Sequence, residues 1–117
     1  MSLTTVNYLV LTNEDWRDTL ELENNGDPVD LTGSAFRAQL RTTADTLAVA
    51  LDASTSNGRM VIADAPGGIL SWNVAPEVLE DMEPGTYVYD IVWTTPGGVE
   101  DTIVDGTITL KRGVTRS

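Results

Sequence analysis

The chain has 117 residues, with seven lysines and arginines against eighteen carboxylates, a formal net charge of -11, and neither cysteine nor histidine. Those absences exclude a disulfide scaffold, a thiolate or histidine-ligated metal site, and any Ser-His or Cys-His catalytic pair. The charge argues against nucleic acid, where each phosphate contact needs Lys or Arg, and against anionic membranes.

The length fits one domain over residues 1–117, with a core that buries roughly two-thirds of the unfolded surface. No apolar run approaches the ~20 residues that span a bilayer, and Met1-Ser2-Leu3 opens no signal peptide. A soluble protein of the cell interior, or of a particle assembled there, is expected.

Thr4 to Leu11 is rich in β-branched and aromatic residues and reads as a first strand. After a break at Thr12–Asp15, Trp16 to Glu23 predicts a half-buried strand. Asp18, Leu20 and Leu22 share one face of it, and Thr19, Glu21 and Glu23 the other. Asn24-Asn25-Gly26-Asp27-Pro28 is hairpin-turn chemistry, because Asn-Gly tolerates positive φ.

In Ser34–Thr42, Phe36, Ala38 and Leu40 alternate with Arg37, Gln39 and Arg41, a clear period of two. The two outward arginines would suit Glu21 and Glu23 if those strands are neighbours. Leu47 to Leu51 reads as extended, with Leu47, Val49 and Leu51 inward, although alanine and leucine also favour helix. Asp52 to Gly58 reads as a polar loop. Arg59–Asp64 and Ile69–Val74 predict two strands joined by Ala65-Pro66-Gly67-Gly68.

Pro76 to Met82 predicts one short helical turn, with proline well placed at its start and Val78, Leu79 and Met82 plugging the core. The organising strand follows between Pro84-Gly85 and Pro96-Gly97-Gly98. Tyr87, Tyr89, Ile91 and Trp93 point one way, and Val88, Asp90, Val92 and Thr94 the other. Tyr87, just after a turn, suits a tyrosine corner. A hairpin then returns Asp101 to Leu110 as the last long strand, where Gly106 suggests a bulge or a close backbone approach. Lys111 to Ser117 reads as a short, mobile basic tail. Strands and turns at this spacing predict a β-sandwich or small barrel.

Candidate chemistry is thin. Asp27 with Asp30, Asp101 with Asp105, or Glu80, Asp81 and Glu83 are conceivable acid-base pairs or calcium ligands, but no EF-hand spacing occurs. Solvation of a β surface explains these acids equally well. Trp16, Trp72 and Trp93, with Tyr8, Tyr87 and Tyr89, would make a sugar platform if exposed. Trp72 and Trp93 sit at inward positions, which leaves Trp16 as the candidate exposed aromatic. No catalytic, cofactor-binding or metal-ligating residue is assigned, and no cofactor is expected.

The stretch Gly26-Asp27-Pro28-Val29-Asp30-Leu31-Thr32-Gly33-Ser34-Ala35-Phe36-Arg37-Ala38-Gln39-Leu40-Arg41 resembles the opening of small immunoglobulin-like modules of tailed bacteriophages and prophages. Those modules are similar to the N-terminal domain of baseplate upper proteins. Gly68-Ile69-Leu70-Ser71-Trp72, Met82 through Ile91, and Asp105-Gly106-Thr107-Ile108-Thr109-Leu110 with Val114-Thr115 extend the likeness. It covers about residues 16 to 115. In the family the module usually precedes a fibre or receptor-binding region, whereas this chain ends with it.

The resemblance implies an all-β fold: an immunoglobulin-like antiparallel β-sandwich of seven to eight strands with one short helical turn. It also implies a non-enzymatic structural part of a phage or prophage virion, in tail or baseplate assembly. The implied partners are other virion structural proteins, with the isolated domain a monomer or small homo-oligomer, and neither nucleic acid nor membrane. Such a part would assemble in the host cytoplasm. A carbohydrate- or calcium-binding accessory domain is the rival reading, and a two-carboxylate hydrolase a more distant one.

Overall fold

In the computed structural model, which describes residues 3–115, the organising strand is β10, Gly85–Thr94. Its alternation survives folding. Tyr87, Tyr89 and Ile91 are buried, Trp93 is half-buried, and Asp90 is exposed. One neighbour is β6 (Ala35–Arg41), antiparallel, with Phe36, Ala38 and Leu40 buried. The other is β11 (Glu100–Lys111), joined through the Gly97-Gly98 turn.

β11 in turn carries β1 (Thr4–Thr5) and β2 (Tyr8–Leu11), both parallel to it, and β6 carries β7 (Leu51–Ser54) at the opposite edge. A second, three-stranded sheet runs β3-β9-β8, from β3 (Thr19–Glu21), β8 (Met60–Asp64) and β9 (Ile69–Trp72). Asn25 and Gly26, at φ 55° and 85°, turn the small ladder of β4 (Glu23–Asn24) and β5 (Asp27–Pro28). Helix α1 spans Pro76–Glu80, shorter than expected, and buries Leu79, with Met82 buried just beyond it.

The two sheets enclose one core centred on Leu31, Phe36, Leu40, Leu70, Trp72, Ile91 and Ile108. Taken by strand order, β3, β9 and β8 correspond to strands B, E and D of an immunoglobulin domain. Likewise β7, β6, β10 and β11 correspond to C′, C, F and G. The Tyr87 hydroxyl donates to the Glu83 carbonyl four residues upstream, at the start of the F-like strand, which is the tyrosine corner. The expected all-β sandwich is therefore the fold found, although its first strand pairs in parallel with the last one.

The first strand is interrupted without losing register. Thr4 lies opposite Val104 and Tyr8 opposite Ile108, so the pairing is the same on both sides of the break. At the break the Asn7 side-chain oxygen takes the Thr107 backbone N–H at 2.9 Å, in place of a main-chain acceptor. Gly106 serves the close approach. A Cβ there would run into the Val6 carbonyl oxygen. The β-bulge sits elsewhere, where the β10–β11 register shifts between Ile91 and Val92 and Ile103 and Val104 are buried in succession.

Several local expectations are corrected. Leu47 is 92% exposed and Val49 is exposed too, so only Leu51 of that trio points inward. Among the described residues no strand pairs with 47–49, whereas Ala50 N–H donates to the Leu40 carbonyl of β6 and Leu51 begins β7. Asp52 to Ser54, read as loop, continues that strand. The strand expected over Trp16–Glu23 shrinks to β3, and Asp18 is exposed.

Arg37 and Arg41 do not meet Glu21 and Glu23, because β6 and β3 belong to different sheets. Arg37 reaches Glu100 at 3.5 Å, and Arg41 donates to the Thr46 and Leu47 carbonyls at 2.7 Å. The expected tail is largely docked. Thr12 N–H donates to the Lys111 carbonyl, the Thr12 hydroxyl accepts the Gly113 N–H, and the Asn13 amide donates to the Thr115 carbonyl. Arg116 and Ser117 lie outside the described residues.

Candidate functional site

Four of the aromatic residues, Trp16, Trp72, Tyr8 and Tyr89, come together inside the sandwich, while Trp93 stacks apart from them on Phe36. Trp16 is 3% exposed and stacks on Trp72 with ring centroids 4.2 Å apart and planes 14° from parallel. Tyr8 and Tyr89 close around the pair at 5.5–6.1 Å between neighbouring ring centroids. Polar tips are satisfied: Trp16 Nε1 donates to Asp18 at 2.9 Å, Trp72 Nε1 to the Tyr8 hydroxyl at 3.2 Å, and the Tyr89 hydroxyl to the Val6 carbonyl at 2.7 Å. Trp16 is thus core, and the reading of it as an exposed sugar-stacking ring is corrected. The bridge between Trp16 and Val74 swings the indole inward, an interaction between distant segments that local sequence does not announce.

The carboxylates are scattered. The bulge at Ile103 reverses the side-chain alternation of β11. Asp101 therefore lies opposite Trp93, while Asp105 lies opposite Asp90 on the outer face of the sheet. Asp30 is spent on a local turn, accepting from the Thr32 N–H and hydroxyl, and those bonds hold its carboxyl below the usual range. Among the described residues, no group of three carboxylates converges to hold a metal ion.

The outer face of the large sheet presents a row that runs across its strands: Thr5, Asp105, Asp90, Gln39 and Asp52. Its first four members, Thr5, Asp105, Asp90 and Gln39, line an open groove of about 590 Å³ together with Asn7, Arg41 and Thr107. Thr5 donates to Asp105 at 2.8 Å, and Arg41 to Gln39 at 2.6 Å. Like charges at directly opposed positions are destabilising, and here Asp90 is exposed to water while the half-buried Asp105 accepts the Thr5 hydroxyl. The sequence spacing gave no sign of this pair, because only the strand register makes it.

The two edges of the sandwich differ in availability. On the outer side of β7, Asn57 accepts the Ser54 N–H at 3.0 Å and donates to the Asp52 carbonyl at 2.9 Å, while Arg59 adds a second donor to that carbonyl. One side-chain amide thus occupies the place a neighbouring strand would take. Among the described residues, no such cover stands beside β3. A groove of about 330 Å³ runs between it and the first strand, lined by Thr4, Val6, Leu20, Glu21, Ile103 and Val104 among others.

Strand order, the two unequal sheets and the tyrosine corner define an immunoglobulin-like β-sandwich. Among solved structures, the N-terminal domain of phage TP901-1 ORF48 shares the fold, with a TM-score of 0.57 at 13% identity, over 95% of this chain and 99% of that one. CopC from Methylosinus trichosporium OB3b matches at a TM-score of 0.50 and 11% identity, over 95% and 89%. At such identities the likeness is one of fold alone. No protein-family model matches the chain, and no curated protein matches its sequence. The resemblance to a phage module is thus met by a solved phage domain of the same fold.

Proposed function

We propose that the chain is a non-enzymatic structural module of a phage or prophage virion, assembled in the host cytoplasm and working in the tail or baseplate through protein-protein contacts. The observation that carries this reading is the end-to-end match of fold with the phage domain, 95% of one chain against 99% of the other. The phage-like motifs along residues 16 to 115 support it independently of the fold. So does the surface, which presents open grooves and strand edges under a formal charge of -11.

The test is to mix the purified domain with each structural protein encoded beside it and follow the mass by light scattering. A defined complex with at least one of them is expected, weakening as salt rises from ~0.05 to 1 M and the screening length falls to about 3 Å. A domain inert toward every structural neighbour that instead binds a glycan array would overturn the reading.

A further inference from the structure

We propose that the outer edge of β3 is a docking site for an extended, basic segment of a partner protein, which adds to the small sheet as a fourth strand. The backbone pattern sets the edge. Trp72 N–H donates to the Asp18 carbonyl and Leu22 N–H to the Gly68 carbonyl, so residues 18, 20 and 22 face β9. Thr19 and Glu21 therefore aim their N–H and C=O groups away from the sheet, and among the described residues no strand stands there. An unpaired edge of this kind is a template for another strand.

The space beside the edge suits an added strand. The groove of about 330 Å³ has the half-buried Val6 and Leu20 and the buried Ile103 and Val104 along it, giving apolar contact to alternate side chains of an incoming segment. The opposite edge of the same sheet is a poorer template, since β8 carries a register shift between Ile62 and Asp64.

Charge selects the occupant. Between Glu14 and Glu23 the chain carries Glu14, Asp15, Asp18, Glu21 and Glu23, all exposed, against Arg17 alone, which already faces Asp15 at 3.9 Å. A second copy pairing edge to edge would set these carboxylates against each other. A segment with lysine or arginine on its outward positions would neutralise them. This deepens the assembly role proposed above by naming one surface. Its failure would leave assembly through another face standing.

The experiment is amide hydrogen exchange on the isolated domain, with a short synthetic peptide alternating lysine and valine, and with its glutamate-for-lysine counterpart. Protection of the Thr19 and Glu21 amides by at least about tenfold with the basic peptide, and none with the acidic one, is expected. The variant Thr19→Pro removes the outward donor while leaving the net charge and the β9 pairing intact, as proline is tolerated on an edge. It should abolish the protection. Unchanged exchange at Thr19 and Glu21, equal protection by both peptides, or diffuse protection that survives in Thr19→Pro would each overturn the proposal. Should the variant not fold, the contrast between the two peptides on the unsubstituted domain decides.

Discussion

Trp16 lies flat on Trp72, 4.2 Å between ring centroids, and so clamps the segment before β3 onto the centre of the core. Both rings are essentially solvent-free. Trp72→Ala should cost about 3–5 kcal/mol, as other large aromatic deletions do. Trp93 is half-buried and stacks on Phe36 at 6.4 Å, so Trp93→Ala should cost less, about 2 kcal/mol. Urea unfolding of the two variants measures the difference. Equal losses would contradict the ranking.

Alkaline pH should unfold the domain through its tyrosines. Burial pushes the Tyr89 hydroxyl well up, helped by Tyr8 and Asp105, and burial likewise raises Tyr8 and Tyr87. A folded pKa above the unfolded value of about 10 means stability is complete below pH ~10 and lost as pH climbs beyond it. The melting temperature should hold steady to about pH 9 and then fall. Tyr89→Phe, though less stable throughout, should fall less steeply, and a parallel decline in both proteins would refute the assignment.

Asn57 should prove to be a guard of the β7 edge. Asn57→Ala uncovers the Ser54 N–H and leaves the Asp52 carbonyl to Arg59 alone, and should lower stability by about 1 kcal/mol. Its larger effect should be association, visible by light scattering at high concentration as growth absent from the parent. Asn57→Asp keeps the acceptor and loses the donor, so an intermediate tendency is expected.

Gly106→Ala should fail in a specific way. The added methyl meets the Val6 carbonyl, and φ there is +152°, a backbone region that side chains rarely adopt. Loss of β1 from β11 is expected, read as faster amide exchange at Val6, whose N–H donates to the Asp105 carbonyl. A variant with unchanged protection there would show the contact to be soft.

What was legible in the sequence was whatever one strand decides by itself. The alternations of Phe36-Ala38-Leu40 and of Tyr87-Tyr89-Ile91, the Asn25-Gly26 turn and the Tyr87 corner are all local patterns, and all stand in the structure. What stayed hidden depends on partners far along the chain. Leu47 and Val49 look like core residues, but among the described residues no neighbouring strand covers them. Trp16 looks exposed until Val74 bridges to it. The bulge at Ile103 sends Asp105 to Asp90 and Asp101 to Trp93, which no spacing rule foresees. The open edge of β3 is a property of sheet assembly, so it too was illegible.

The parallel pairing of β2 with β11 has a mechanical consequence. Leu3 lies beside the Val104 end of β11, while Thr115 lies past its Lys111 end, so tension applied at these two residues drags the strands lengthwise past one another. The hydrogen bonds between them then bear load together, in shear, and none can open like the first tooth of a zipper. The domain should resist stretching along this axis far better than it resists peeling from one end. Single-molecule pulling in the two geometries would show whether the sandwich is built as a tie-bar.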